Sequence, residues 1–145
     1  MTDTVTGLAI RAFEDADEAA VIALWRDCGL TRAWNDPARD IARKRTVQPE
    51  LFLVGVVDGA VVATAMVGYD GHRGWVNYLG VDPAERGRGH ARALMAEAER
   101  RLVALGCPKL NLQVRATNEA ALAFYRRLGY VADEAVSFGK RLIPD

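Results

Sequence analysis

Two cysteines and two histidines are all that the 145 residues contain of either type. Cys28 and Cys107 form no C-x-x-C and read as free thiols of a reducing cytosol. His72 and His90 have no partner at ligand spacing, so no metal is expected. Net charge is missing too: 19 basic residues balance 19 acidic ones. That argues against a general nucleic-acid or membrane surface. No apolar run approaches a bilayer's thickness, and the opening M-T-D-T-V-T-G lacks a basic-then-apolar signal region. The expected location is the cytoplasm. Repeats, low-complexity stretches and long linkers are absent, so one domain over residues 1–145 is expected.

What is present is ordinary globular composition with clear periodicity. Leu8–Phe13 alternates apolar and polar, as a first strand does. Asp15 with Glu18 three residues on resembles a capping box, and Val21, Leu24, Trp25 and Cys28 follow at helical spacing until Gly29. Asp36-Pro37 opens a second helix to about Val47. Its Arg39, Arg43, Lys44 and Arg45 suggest a solvated face or, as a sharper alternative, a ligand-facing one for an acidic acceptor. Asp58-Gly59 joins two β-rich runs, Leu51–Val57 and Ala60–Tyr69, as a hairpin. Trp75–Val81 is a further strand, and Gly89–Gly106 the clearest helix, with Ala91, Met95, Ala98, Leu102 and Leu105 on one stripe. Leu110–Val114 reads as strand, Asn118–Leu128 as helix, and Val136–Leu142 as a last strand. The strand–helix–strand unit from Trp75 to Val114 requires a crossover and hence parallel strands. The fold class is α/β with a mixed sheet, antiparallel early and parallel later.

The informative segment is L-G-V-D-P-A-E-R-G-R-G-H-A, Leu79–Ala91. A strand ends at Val81, Asp82-Pro83 breaks it, and a loop with Arg86, Gly87, Arg88 and Gly89 feeds a helix. Unpaired amides at a helix start, its positive dipole end and nearby guanidinium groups form a phosphate site. Glycine lets the main chain approach an anion closely. A dinucleotide fingerprint would need glycine where Arg92 stands, and no G-x-x-x-x-G-K-[ST] occurs.

What remains, R-x-x-G-x-A from Arg86 to Ala91 after V-D-P, resembles the pyrophosphate signature of the GNAT superfamily of N-acyltransferases. Asn118 through Tyr130 is similar to that family's N-x-x-A-x-x-x-Y-x-x-x-G-[FY]. The W-N-D-P turn at Trp34–Pro37, Y-D-G-H-R-G at Tyr69–Gly74 and G-C-P-K at Gly106–Lys109 look closest to its short bacterial YpeA-type members. The resemblance implies a GNAT-like three-layer fold with a centrally splayed sheet flanked by helices. It implies acetyl-CoA as co-substrate, with the main chain of Leu79, Gly80 and Val81 pairing the pantetheine arm. Arg86, Gly87, Arg88, Gly89, His90, Ala91 and Arg92 would hold the diphosphate. Asn118 would contact the arm, besides capping its helix. Tyr125 would protonate the departing thiolate, its plainer reading being a core aromatic. The acceptor would be an amine of a small molecule, peptide or protein, and dimerisation through late strands is common in the family.

One position departs from the pattern. Many family members acting on protein N-termini carry a glutamate base five residues before the asparagine, where this chain has Gln113. An amide cannot serve as base, which makes protein N-termini a poorer guess for the acceptor. Asp70, His72 and Tyr78 are the alternative bases, His72 matching best in ordinary pKa. His72 reads equally well as a turn-shaping loop residue. Trp34 and Asn35 would line the acceptor pocket, although a tryptophan plugging the core is the plainer reading of Trp34. His90 reads as a surface residue able to add charge at the phosphate site. A non-catalytic acyl-CoA sensor is the competing functional class.

Overall fold

Asp58 and Gly59 both take positive φ, 49° and 80°, the combination a two-residue type I′ hairpin needs. The computed structural model describes residues 7–145; residues 1–6, most of the stretch read for a signal, lie outside the described residues. Contacts divide the chain after Leu112 into two units.

In the first unit the turn links β2 (Phe52–Val57) to β3 (Ala60–Tyr69). Around them lie β1 (Ala9–Ala12), β4 (Gly74–Val81) and β5 (Leu110–Leu112) in the order β1-β2-β3-β4-β5. The first three ladders are antiparallel and β4–β5 is parallel. The expected mixed sheet is therefore present. Helices α1 (Glu18–Asp27), α2 (Pro37–Lys44) and α3 (His90–Ala104) accompany it.

Alternation along β2 divides its side chains between two faces. Phe52 and Val54 join Val21 and Trp25 of α1 and Ile41 of α2 in one buried cluster. Leu94, Met95, Ala98 and Leu102 form the buried stripe of α3, which packs on β3 and β4. Leu105, expected on that stripe, is instead exposed beyond the helix end. The helix start also shifts. Asp17, not Glu18, reaches back, accepting from the Glu14 amide at 2.8 Å, and a short 3-10 turn precedes α1.

β3 outruns β2, whose ladder reaches only Met66. The exposed backbone beyond it is covered by side chains from α2 and the turn after it. Lys44 Nζ donates to the Val67 carbonyl at 2.5 Å, and the Gln48 amide pairs with both Tyr69 N (2.8 Å) and Tyr69 O (3.0 Å). A buried edge would otherwise leave costly unmet donors and acceptors. Burial holds the Lys44 ammonium below its ordinary range. The remaining cations of α2 are matched locally: Arg39 with Asp36 (3.7 Å), Arg43 with Asp40 (3.1 Å), and Arg45 with Asp15. Each of these three guanidinium groups thus has a carboxylate partner close by.

The second unit, Gln113–Asp145, contains α4 (Glu119–Arg127), ended by Gly129 at φ 93°. The expected strand Val136–Leu142 does not form. Its alternation is real, but a strand exists only where a neighbour completes its ladder, and none pairs with it among the described residues.

Candidate active site

β4 delivers the chain to the arginine-glycine loop. The Asp82 amide donates to the Val62 carbonyl at 2.8 Å, and its carboxylate accepts from Ala84 N at 2.9 Å, so the turn after the strand is fixed at both ends. Gly87 and Gly89 then take φ of 80° and 84°, values that cost a side-chain-bearing residue about 1–2 kcal/mol. Gly89 is the N-cap of α3 and, having no side chain, leaves the first amides of the helix without a side-chain acceptor. The first turn of α3 carries no acidic residue either. Fifteen residues of aligned peptide dipoles therefore end in a positive pole beside the Glu85 carboxylate, which lies 3.6 Å from Nε2 of His90.

Arg86, Arg88 and Arg92 are exposed at this pole. Arg86 Nε donates to the Val81 carbonyl at 3.3 Å, and Arg88 lies 3.1 Å from Glu85. Ala91 is half-buried in the first turn. His90 corrects the surface reading: it is 2% exposed, and neither ring nitrogen has a hydrogen-bond partner among the described residues. Its Nε2 lies 3.6 Å from the Glu85 carboxylate, so the side chain turns inward at the first position of α3.

The neighbouring strand is open along part of its edge. The ladder between β4 and β5 covers Gly74–Val76 and then stops, leaving Leu79, Gly80 and Val81 beyond it. On the other edge, β4 pairs with β3 at Asn77↔Met66 and Thr64↔Gly80, so two residues of β4, Tyr78 and Leu79, oppose Ala65 alone. This is a β-bulge, and Tyr78 within it has φ 53°, unusual for a residue with a side chain. A Cβ on Gly80 would stand 3.0 Å from Leu30 Cδ1 and 3.4 Å from Cys28 Sγ. Glycine is what lets β4 pass this close to the segment after α1.

Asp70 and His72 are not brought to that open segment. They occupy the β3–β4 turn, and the length of β4 puts them about 23 Å of strand from Val81. Asp70 organises the turn. Its Oδ1 accepts the Arg73 amide (2.7 Å) and the His72 amide (2.8 Å), and Oδ2 accepts from Trp75 Nε1 (3.3 Å). Those amide bonds hold its carboxyl below the usual range, which weakens it as a base. Trp34, 58% exposed, does not plug the core. Asn35 beside it is half-buried.

Sequence reading missed the residues that grip Tyr78. Its hydroxyl donates to Asp40 Oδ2 at 2.6 Å, its ring stacks on Trp25 at 3.8 Å, and its carbonyl accepts from Thr64 Oγ1 at 2.8 Å. These partners lie up to 53 positions away, and no local pattern marks such contacts.

In the second unit, Asn118 Oδ1 accepts from Ala121 N at 3.1 Å, the expected cap. Tyr125 meets Phe124 and Tyr130 edge-on, centroids 5.1 and 5.8 Å away. Burial raises its phenol to about 12. Gln113 Nε2 donates to Ser137 Oγ at 2.5 Å, and no carboxylate occupies that position.

Residues 11–130 match the model of the acetyltransferase (GNAT) family. The chain belongs to that family. It is 51% identical over 138 residues to an acetyltransferase of Yersinia enterocolitica, covering 95% of this chain and 98% of the relative. Ard1 of Thermoplasma volcanium is similar at 26% identity with a TM-score of 0.73, covering 86% of this chain and 82% of that one. The aminoglycoside acetyltransferase AAC(6')-Iy, solved with a bisubstrate analogue of CoA, shares the fold: TM-score 0.74, 19% identity, 94% and 99% coverage. Membership makes this GNAT chain an acetyltransferase. Among the described residues no helix is long and apolar enough to cross a membrane.

Proposed function

We propose that this GNAT enzyme moves the acetyl group of acetyl-CoA to a primary amine, in the cytoplasm, by direct attack within a ternary complex. The observation that carries the reading is the side-chain-free N-terminus of α3 at Gly89, fed by a strand whose outer ladder ends at Val76. The diphosphate would be held by backbone amides from Gly87 to Arg92, with Arg86, Arg88 and Arg92 supplying charge. Pantetheine amides would pair with Leu79–Val81 as an added strand does. Asn118 would contribute to the arm through the face its cap leaves open.

The acceptor must be neutral to attack, and its ordinary pKa is roughly 8 for an α-amine or roughly 10 for a lysine. Attack on the thioester carbon places charge on the carbonyl oxygen, for which preorganised donors are needed. The C–N bond forms, the C–S bond breaks and the thiolate takes a proton from Tyr125, while the nitrogen releases its surplus proton to solvent, from which the phenol is restored. A phenol raised to about 12 is still protonated at the pH where the amine becomes neutral, so the donor is loaded there. Trp34, Asn35 and Tyr78 are the proposed acceptor-side residues, and Gln113 supplies no base.

The test is thiol release from acetyl-CoA with a panel of small amines and peptides. Turnover on some amine, reduced in Tyr125→Phe, supports the reading. Tight acetyl-CoA binding without turnover on any amine would make the chain an acyl-CoA sensor instead.

A further inference from the structure

The bulge at Tyr78 is held more firmly than a bulge requires. A residue with a side chain at φ 53° stores strain of about 1–3 kcal/mol unless its surroundings fix it. Here three groups do so, from three elements besides β4 itself. Thr64 on β3 donates to the Tyr78 carbonyl, and Thr64 is itself fixed by Trp25 Nε1 at 2.9 Å. Trp25 on α1 covers the Tyr78 ring, the planes 12° apart. Asp40 on α2 accepts the Tyr78 hydroxyl at 2.6 Å, while its other oxygen takes Arg43 at 3.1 Å. Thr64 and Trp25 are wholly buried. Asp40 is the outermost member of the set, its side chain 22% exposed.

A bulge places its extra residue outside the ladder and re-aims the groups around it. This one lies where β4 has already parted from β5, between Val76 and the segment Leu79–Val81. We propose that Asp40 is a positioning residue for acetyl transfer: through the Tyr78 hydroxyl it fixes the β4 bulge, and with it the direction of the main-chain donors of the open β4 segment that would meet the thioester oxygen. The inference rests on the function proposed above. Asp40 touches neither substrate; its effect passes through the phenol to the backbone. A donor aimed in advance at developing charge is worth far more than one that must reorient, so loosening it weakens carbonyl polarisation and leaves diphosphate binding intact.

The experiment needs no acceptor. Acetyl-CoA labelled with 13C at the carbonyl is bound to wild type and to Tyr78→Phe, Asp40→Ala and Asp40→Asn, and its infrared carbonyl band is recorded beside calorimetric CoA affinity. In wild type the band moves to lower wavenumber on binding. Tyr78→Phe keeps the ring over Trp25, so it folds, and with Asp40→Ala it returns the band most of the way to its free position. Asp40→Asn, which still offers a carbonyl to the phenol, retains the wild-type shift. CoA affinity stays within about threefold throughout. Wild-type bands in Tyr78→Phe and Asp40→Ala would overturn the assignment, as would equal damage from Asn and Ala at position 40. A parallel collapse of CoA affinity in all three variants would show a merely structural contact. Failure of wild type to bind CoA would instead sink the functional reading beneath it.

Discussion

Glu85 stands 3.1 Å from Arg88 across the phosphate loop, a carboxylate inside a site read as anion-binding. Its charge both restrains the guanidinium and opposes a diphosphate. Glu85→Gln removes the opposing charge, worth about 1 kcal/mol at partly exposed range. CoA affinity should rise severalfold in that variant and fall in Arg88→Ala. Titrations at low and high salt check it, since the difference between variants should shrink as salt screens the loop.

Gly87 has φ 80° and open space around its missing Cβ. Gly87→Ala therefore meets no clash but pays backbone strain of about 1–2 kcal/mol. The expected result is weaker CoA binding with little loss of melting temperature, because the strain is confined to an exposed loop. Gly74→Ala is its counterpart: a Cβ there would stand 2.7 Å from Leu102 Cδ1 and 3.0 Å from Cys107 Sγ. That variant should lose about 1–3 kcal/mol of stability, read by denaturant melts.

Arg11 binds Asp17 through both guanidinium ends, at 2.7 and 3.0 Å, and this bond holds the Asp17 carboxyl below its ordinary 3.8. A depressed folded-state pKa means the contribution is present above 3.8 and is lost as pH falls through the folded value. Asp17→Asn should cost about 1–3 kcal/mol near neutrality. The gap in melting temperature between variant and wild type should close progressively below pH 4.

Tyr125 offers a pH test of the proton donor. With its phenol raised to about 12, the rate should show no alkaline loss from Tyr125 below about pH 11. Only the acceptor's own deprotonation should shape the profile, as a rise toward its pKa. Tyr125→Phe should lower kcat by about 10²-fold without changing that shape, measured by thiol release once an acceptor is found.

These predictions draw unequally on what was legible in the chain. Asp58-Gly59, the V-D-P break and the glycines at 87 and 89 act through their own backbone, so sequence alone placed the hairpin, the loop and the helix start. His90 and Trp34 were misjudged because residue type says little about which way one helical position or one turn points. The expected strand at Val136–Leu142 failed for a related reason: period-two alternation describes a side-chain pattern, while a ladder depends on a distant neighbour. Asp40 was invisible as a partner of Tyr78, since 38 residues separate them and only the packing of α1 and α2 against the sheet brings them together.

The central claim is that the open N-terminus of α3 grips a diphosphate. Calorimetry with CoA and with pantetheine, which shares the arm but lacks the diphosphate, tests it directly. The account predicts one CoA per chain and pantetheine at least about 100-fold weaker, near 2.7 kcal/mol. No heat with CoA, or equal affinity for the two, would contradict it.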